Sequence, residues 1–221
     1  MPAPAAAPAP SQRNDIHWFR SSAEYRGLAI EIYRSASEHL PDLIRGEQAG
    51  LWAVILDADE TVLDNSLNER RDADRGASFS EAEWAVWVRR RAATAIPGAV
   101  DYTRRVRQLG GKVVIVTNRV DSLCAPTREN LHAVGIDADL VLCTSPGEIN
   151  KNPRFQRVQN GTAAPGLPAL HVIEWLGDNI EDFPGLTQSV RTRAAGYSDF
   201  GVRYFLLPNP MYGSWVGNAE P

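Results

Sequence analysis

Trp52-Ala53-Val54-Ile55-Leu56-Asp57-Ala58-Asp59-Glu60-Thr61 is an apolar run that ends in two carboxylates spaced i, i+2. An unbroken apolar run of this kind predicts a strand buried on both faces, as in a parallel sheet covered by helices. Open α/β sheets bind ligands in the crevice outside the carboxyl ends of their strands, which is where Asp57 and Asp59 would lie. Two acids crowded there need a cation, and a hard divalent ion such as Mg²⁺ is the usual partner of such a cluster. A nucleophilic carboxylate beside that ion points to phosphoryl chemistry through an aspartyl-phosphate. A lone Asp-x-Asp is also a common capped turn, so the rest of the chain has to decide.

Working outward, four more strand-like runs follow at 112–117, 139–143, 170–176 and 203–207, with helical patterns at 100–109 and 127–134 each closed by glycine. That alternation is the βαβ signature of a parallel α/β sheet. Upstream, Trp18, Tyr25, Leu28, Ile32 and Tyr33 recur at helical spacing and predict one helix over 15–39, ended by Pro41. The stretch 64–97 is too long for a simple crossover. It contains Ser80-Glu81-Ala82-Glu83, which reads as a capping box, then Trp84, Trp87 and Val88, and is expected to form a helical cap over the crevice. Residues 1–14 read as a flexible Ala/Pro-rich tail and not a signal peptide, and 15–221 as a single domain. Residues 161–168, rich in Gly, Ala and Pro, read as an irregular connection.

The 221 residues, 43% hydrophobic and 23% charged, suffice for one compact core. The net charge of -4 argues against a nucleic-acid polymer as partner, so a phosphate site here depends on local cations. No apolar stretch reaches membrane-span length. Cys124 and Cys143 are too few for a disulfide framework and lack metal-ligand spacing, and they leave the redox compartment open.

Further chemical residues fall at the ends of the expected strands. Thr117-Asn118-Arg119 puts a hydroxyl where it could bond a phosphate oxygen, although it would equally serve as a helix cap. Lys151 is suited to neutralising phosphate and acids; alone it would read as a surface lysine. Gly177-Asp178 brings another carboxylate to the crevice and Asp182 a second, the alternatives being an N-cap and a surface acid. Glu60, Asp64 and Glu181 read as structural, with Asp64 turning the chain into the insertion.

The ordered set Asp57-x-Asp59-x-Thr61, Thr117, Lys151 and Gly177-Asp178-x-x-x-Asp182 resembles the haloacid dehalogenase (HAD) superfamily of aspartate-nucleophile phosphatases. Ser22-Ala23-Glu24-Tyr25, Asp59-Glu60-Thr61-Val62-Leu63-Asp64-Asn65, Val116-Thr117-Asn118-Arg119 and Leu207-Pro208-Asn209-Pro210-Met211-Tyr212-Gly213-Ser214-Trp215 look like the class C acid phosphatases. The nearest likeness is their bacterial outer-membrane lipoprotein, 5'-nucleotidase type. The resemblance implies an α/β, HAD-like three-layer Rossmannoid sheet with a small helical cap, and an Mg²⁺-dependent acid phosphatase acting on phosphomonoesters. Asp57 would be nucleophile and metal ligand, and Asp59 would bind metal through its carbonyl while its side chain is acid then base. Thr117 and Lys151 would hold phosphoryl oxygens, Asp178 would complete the metal shell, and Asp182 would orient a metal water or Lys151.

The same resemblance points to nucleoside or nicotinamide 5'-monophosphates, with Trp87 and Tyr212 around the ring and Asn118 and Arg119 also at the substrate. Trp84 and Trp215 are read more readily as core aromatics. A homodimer, and the periplasm or outer-membrane periphery, are likewise implied by resemblance. Membrane anchoring is expected only if a lipidated N-terminus was removed. Ala58 stands where the family often has Leu. The rival readings are a phospho-accepting receiver domain, whose acids come in a different order, a catalytically silent binding relative, and a phosphotransferase on the same site.

Overall fold

The computed structural model describes residues 13–220. The expectation for the tail over 1–14 thus lies outside the described residues, except at Arg13 and at Asn14, where helix α1 (Asn14–Ser21) begins. The one helix expected over 15–39 is two. Ser22 adopts an extended conformation and its Oγ accepts the Tyr25 N–H at 3.0 Å, capping α2 (Ala23–Leu43). Pro41 does not end α2; it lies in the last turn, which closes on Ile44 with its N–H 2.9 Å from Leu40 O.

The strand β1 (Trp52–Leu56) is buried at every position. After it come β2 (Leu63–Asp64), α3 (Ser66–Arg75), α4 (Glu81–Arg90) and β3 (Thr94–Ala95), with β2 and β3 pairing antiparallel. Asp64 turns the chain into this segment by accepting the Ser66 N–H at 2.8 Å. The helix α4 starts where the sequence indicated, but the Ser80 side chain makes no capping bond, so the expected box is absent. Its first turn is held instead by the Trp84 N–H on Ser80 O at 2.9 Å.

The remaining elements are α5 (Ala99–Gln108), β4 (Lys112–Val120), α6 (Cys124–Ala133), β5 (Leu140–Thr144), α7 (Asn152–Gln159), β6 (His171–Gly177) and β7 (Tyr204–Leu206). Five strands form one sheet in the order β5-β4-β1-β6-β7, every pair parallel. Trp52, Val54 and Leu56 face a core shared with α2, α5 and α6, whereas Ala53 and Ile55 face Phe155 and Val158 of α7. Period-two alternation thus covers both faces of β1 and makes three layers. The chain goes from β1 to β4 and β5 on one side and then crosses to β6 and β7 on the other, so the topological switch is at β1. Its carboxyl end opens into the crevice that such a switch creates.

Cys124, at the start of α6, and Cys143, in β5, form a disulfide. The bond staples the segment after β4 to the neighbouring edge strand.

Candidate active site

A cavity of about 340 Å³ lies at the carboxyl ends of β1, β4 and β6. Asp57, Asp59, Asn118, Lys151, Asp178 and Asp182 contribute to its floor, and Glu69 of α3, Trp84 of α4 and Phe79, just ahead of α4, contribute to its wall. The segment 64–97 therefore covers part of the crevice.

The turn after β1 is built by its own backbone. The Val62 and Leu63 N–H groups both bond Ala58 O, at 3.0 and 2.8 Å, and the Glu60 N–H bonds Leu63 O at 2.8 Å, a pattern that omits the Asp59 carbonyl. Glu60 has φ 52°, a left-handed conformation that costs a residue with a side chain about 1 kcal/mol or more. Its buried carboxyl offsets this by accepting the Asn65 N–H at 2.7 Å.

Asp57 is buried, and Lys151 Nζ bridges it to Asp182, lying 2.6 Å from Asp182 Oδ1. The other Asp182 oxygen accepts the Asn179 N–H at 2.9 Å and completes a capping box with the Asn179 side chain. Gly177 is required here because a Cβ at that position would overlap the Asp182 side chain. Asp178 accepts from Asn209 Nδ2 at 2.8 Å and Thr61 Oγ1 at 3.3 Å.

Carboxylate oxygens of Asp57, Asp178 and Asp182 lie within 4.8 Å of one another, which is compact enough to hold a metal ion. The donor set is all oxygen and anionic, which suits a hard divalent cation. Burial pushes Asp57 up to about 7, the nearby Asp182 and Asp59 adding to the rise and Lys151 opposing it. Asp178 is raised well above the ordinary carboxyl range by burial and by Asp182 and Asp57. Burial works to lower Lys151, but Asp182 and Asp57 outweigh it and the ammonium is raised. One lysine thus leaves these acids under-neutralised, the electrostatic condition that a bound cation relieves.

The structure brings Asp57, Asp59, Asn118, Lys151, Asp178, Asp182 and Tyr212 to one cavity. Three residues expected to act there do not line it. Thr117 is fully buried, with its Oγ1 accepting the Arg119 N–H at 3.1 Å. Arg119, expected at the substrate, is 3% exposed because it is spent on Asp59 Oδ1, with Nη2 at 2.6 Å and Nε at 3.0 Å. Trp87, expected beside a ring, is instead a core residue whose indole N–H donates to Asn65 Oδ1 at 2.9 Å. The half-buried Trp84, read as core, stands on the wall.

Sequence reasoning missed the hub made by Asn65. Besides Trp87, this buried amide bonds Asp59 Oδ1 at 2.8 Å and accepts from Arg119 Nη2 at 3.2 Å. It also missed Arg154, a buried guanidinium beside Glu148 that bonds Thr117 O and, at 3.0 Å, Asn118 Oδ1. Asn65 and Asn209 both lie in stretches that carried the resemblance, which was the available signal.

The profile of the HAD superfamily, subfamily IIIB (acid phosphatase), matches residues 4–215. The chain belongs to that family. Two solved structures of the class C acid phosphatase from Bacillus anthracis are similar to it. The one with tungstate bound is 27% identical with a TM-score of 0.83, and the other is 26% identical with a TM-score of 0.82. Each alignment covers 92% of this chain and 86% of the other. Acid phosphatase 1 of Solanum lycopersicum is 27% identical over 192 residues, covering 84% of this chain and 69% of that protein. As a member of this acid phosphatase family the chain is a phosphoric monoester hydrolase, with the HAD-like sheet its resemblance implied.

Proposed function

We propose that this acid phosphatase hydrolyses nucleoside or nicotinamide 5'-monophosphates with Mg²⁺ as its metal, through an aspartyl-phosphate on Asp57. The observation that carries this reading is the pairing of two differently held acids at one strand end. Asp57 is buried beside Lys151 and the other carboxylates, whereas Asp59 is fixed across the turn by Arg119 and Asn65.

In this reading Asp57 Oδ attacks phosphorus as the ester P–O bond breaks, and Asp59 gives its proton to the departing alkoxide. Asp59 Oδ1 already has three polar partners while Oδ2 has one contact, Arg119 Nε at 3.2 Å, so Oδ2 is assigned the proton. Asp59 next removes a proton from the water that attacks the acyl phosphate, which releases phosphate and restores Asp57. Lys151 offsets charge on the phosphoryl oxygens, and Thr117 fixes the strand end through the Arg119 N–H. Asp57, Asp178 and the Asp59 carbonyl would hold the Mg²⁺, which supplies Lewis-acid stabilisation of phosphoryl charge when bound. Asp182 positions Lys151. The tungstate in the Bacillus anthracis structure, an oxyanion, accords with a phosphate-binding centre in the family.

Residues 64–97 act as the cap of a single domain, and Tyr212 and Asn118 contact the leaving group in this proposal, with Trp84 taking the wall position expected of Trp87. The Cys124–Cys143 disulfide supports an oxidising compartment, the periplasm or outer-membrane periphery. Among the described residues no helix is long and apolar enough to cross a membrane. A homodimer remains part of the proposal and is checked by sedimentation.

The test is phosphate release from nicotinamide mononucleotide, adenosine monophosphate and p-nitrophenyl phosphate, with Mg²⁺ or chelator, for native protein and Asp57→Asn. Metal-dependent release, absent in the variant and fastest for the nucleotides, is the expected result. Release that survives in Asp57→Asn would remove the aspartyl mechanism, and capture of the phosphoryl group by added alcohol would make the protein a phosphotransferase.

A further inference from the structure

The stretch of β4 that reaches the cavity leaves the sheet ladder on both sides. Its pairing with β1 ends at Leu56 and Ile115, and its pairing with β5 is interrupted between Val116 and Val120, where Thr117 to Arg119 lie opposite Cys143 alone. Thr117 and Asn118 fall in that gap, so side chains hold them in place of strand partners. Arg154 of α7 supplies the main grip: Nη1 bonds Thr117 O and Nη2 bonds Asn118 Oδ1 at 3.0 Å. Thr144 Oγ1 adds a longer contact, 3.3 Å from Thr117 O. Arg154 is fully buried, with Nε 3.1 Å from Glu148 Oε2. It follows Lys151 by three positions and so shares a helix face with it. The start of α7 thus sends one cation to Asp57 and another to the end of β4.

A guanidinium has donors and no acceptor, so the Asn118 amide must turn its oxygen toward Arg154. The amide N–H₂ is the end left over. It has no partner among the described residues, and it belongs to an exposed side chain that lines the cavity. An anionic ester is attracted by that donor end and repelled by the oxygen end. From this we infer that Arg154 is a positioning residue, which orients Asn118 so that its amide donates to the phosphate oxygens of the bound ester. Arg154 itself touches neither the substrate nor the metal acids. The inference rests on the phosphatase reading of the same cavity. Phosphate oxygens are present in substrate and transition state alike, so the bond shows in KM more than in kcat. A lysine at 154 reaches one of the two acceptors but cannot fork to both.

The experiment measures KM and kcat on p-nitrophenyl phosphate with Mg²⁺ for native protein, Asn118→Ala, Arg154→Lys, the double variant and Arg157→Lys. Asn118→Ala is expected to raise KM about tenfold, the range of one charge-assisted hydrogen bond, with a much smaller change in kcat. Arg154→Lys raises KM severalfold in the native background and no further in the Asn118→Ala background. A residue that only supported the fold would add the same loss in both. Arg157 also pairs with Glu148, at 3.1 Å, but is 39% exposed at its side chain, and Arg157→Lys should leave KM unchanged. Additive KM losses in the double variant, or an equal rise in Arg157→Lys, would overturn the inference. So would a native KM in Asn118→Ala, a result that needs no Arg154 variant and holds even if Arg154→Lys folds poorly. In each of these cases native turnover leaves the phosphatase reading standing. No turnover of p-nitrophenyl phosphate by native enzyme with Mg²⁺ would overturn that reading, and this one with it.

Discussion

Arg119 and Asp59, sixty positions apart, are joined in a chelated ion pair in which Nη2 at 2.6 Å and Nε at 3.0 Å share one carboxylate oxygen. The arginine is 1% exposed at its side chain and the aspartate 19%, so the guanidinium fixes the acid from behind while leaving it open to the cavity. A lysine has one donor point and cannot reproduce this fork. Arg119→Lys is expected to lower kcat on the order of tenfold to a hundredfold through misplacement of Asp59, with a smaller change in KM. Steady-state kinetics on an aryl phosphate checks it, and equal kcat in the variant would show that Asp59 needs no such support.

The two tryptophans of α4 should separate by effect. Trp87→Ala removes a buried ring and its bond to Asn65, and should cost about 3–5 kcal/mol in urea unfolding. Trp84→Ala opens the cavity wall and should raise KM several-fold for ring-bearing substrates, with little loss of stability. Reversed results would restore Trp87 to the substrate.

Metal binding has a structural readout separate from turnover. Adding Mg²⁺ to the chelated protein should raise its Tm, since a ligand that binds only the folded chain stabilises it by about 2.7 kcal/mol at a hundredfold excess over Kd. Asp178→Asn should lose most of that rise while Asn209 and Thr61 still offer it partners. A full rise in the variant would place the ion elsewhere.

Glu174 of β6 gives a pH dependence remote from the metal acids. Burial pushes it up to about 8, against the lowering effects of the Tyr102 hydroxyl and Arg203, and its Oε1 has no partner. The folded protein therefore holds this proton more tightly than the unfolded chain. The resulting stability is fully present below about pH 4 and is lost as pH rises through about 8. Glu174→Gln cannot ionise, so its Tm relative to native should be a few degrees higher at about pH 8 than at about pH 5. Parallel Tm curves for the two proteins would contradict the shift.

The disulfide closes a short loop, its cysteines 19 positions apart. Removing such a link costs about 3 kcal/mol through the entropy of the unfolded chain. The Cys124→Ser, Cys143→Ser double variant should show that loss in denaturant unfolding, and reductant should lower native Tm but not that of the variant.

The fold was legible in the sequence because its signals are local. The unbroken apolar run 52–56 requires cover on both faces, the alternating strand and helix patterns require a parallel sheet, and a strand's carboxyl end is where its next residues must emerge. Those facts put Asp57, Asp59 and Asp178 at one edge of the sheet before any coordinates. The division of α1 from α2 was less visible, since apolar spacing continues across Ser22 and only its extended backbone shows the break.

What only the tertiary structure decided is which side chains meet across the crevice. Trp84 and Trp87 differ by three positions on one helix, and nothing in that spacing says which faces the cavity and which reaches Asn65. Arg119 looks like a substrate reader until the turn after β1 brings Asp59 within 2.6 Å. Cys124 and Cys143 carry no pairing signal, yet the packing of α6 on β5 makes them neighbours. Periodicity and strand ends are set by a few adjacent residues, whereas these partnerships depend on packing between elements far apart in the chain, where a shift of one helical position exchanges one contact for another.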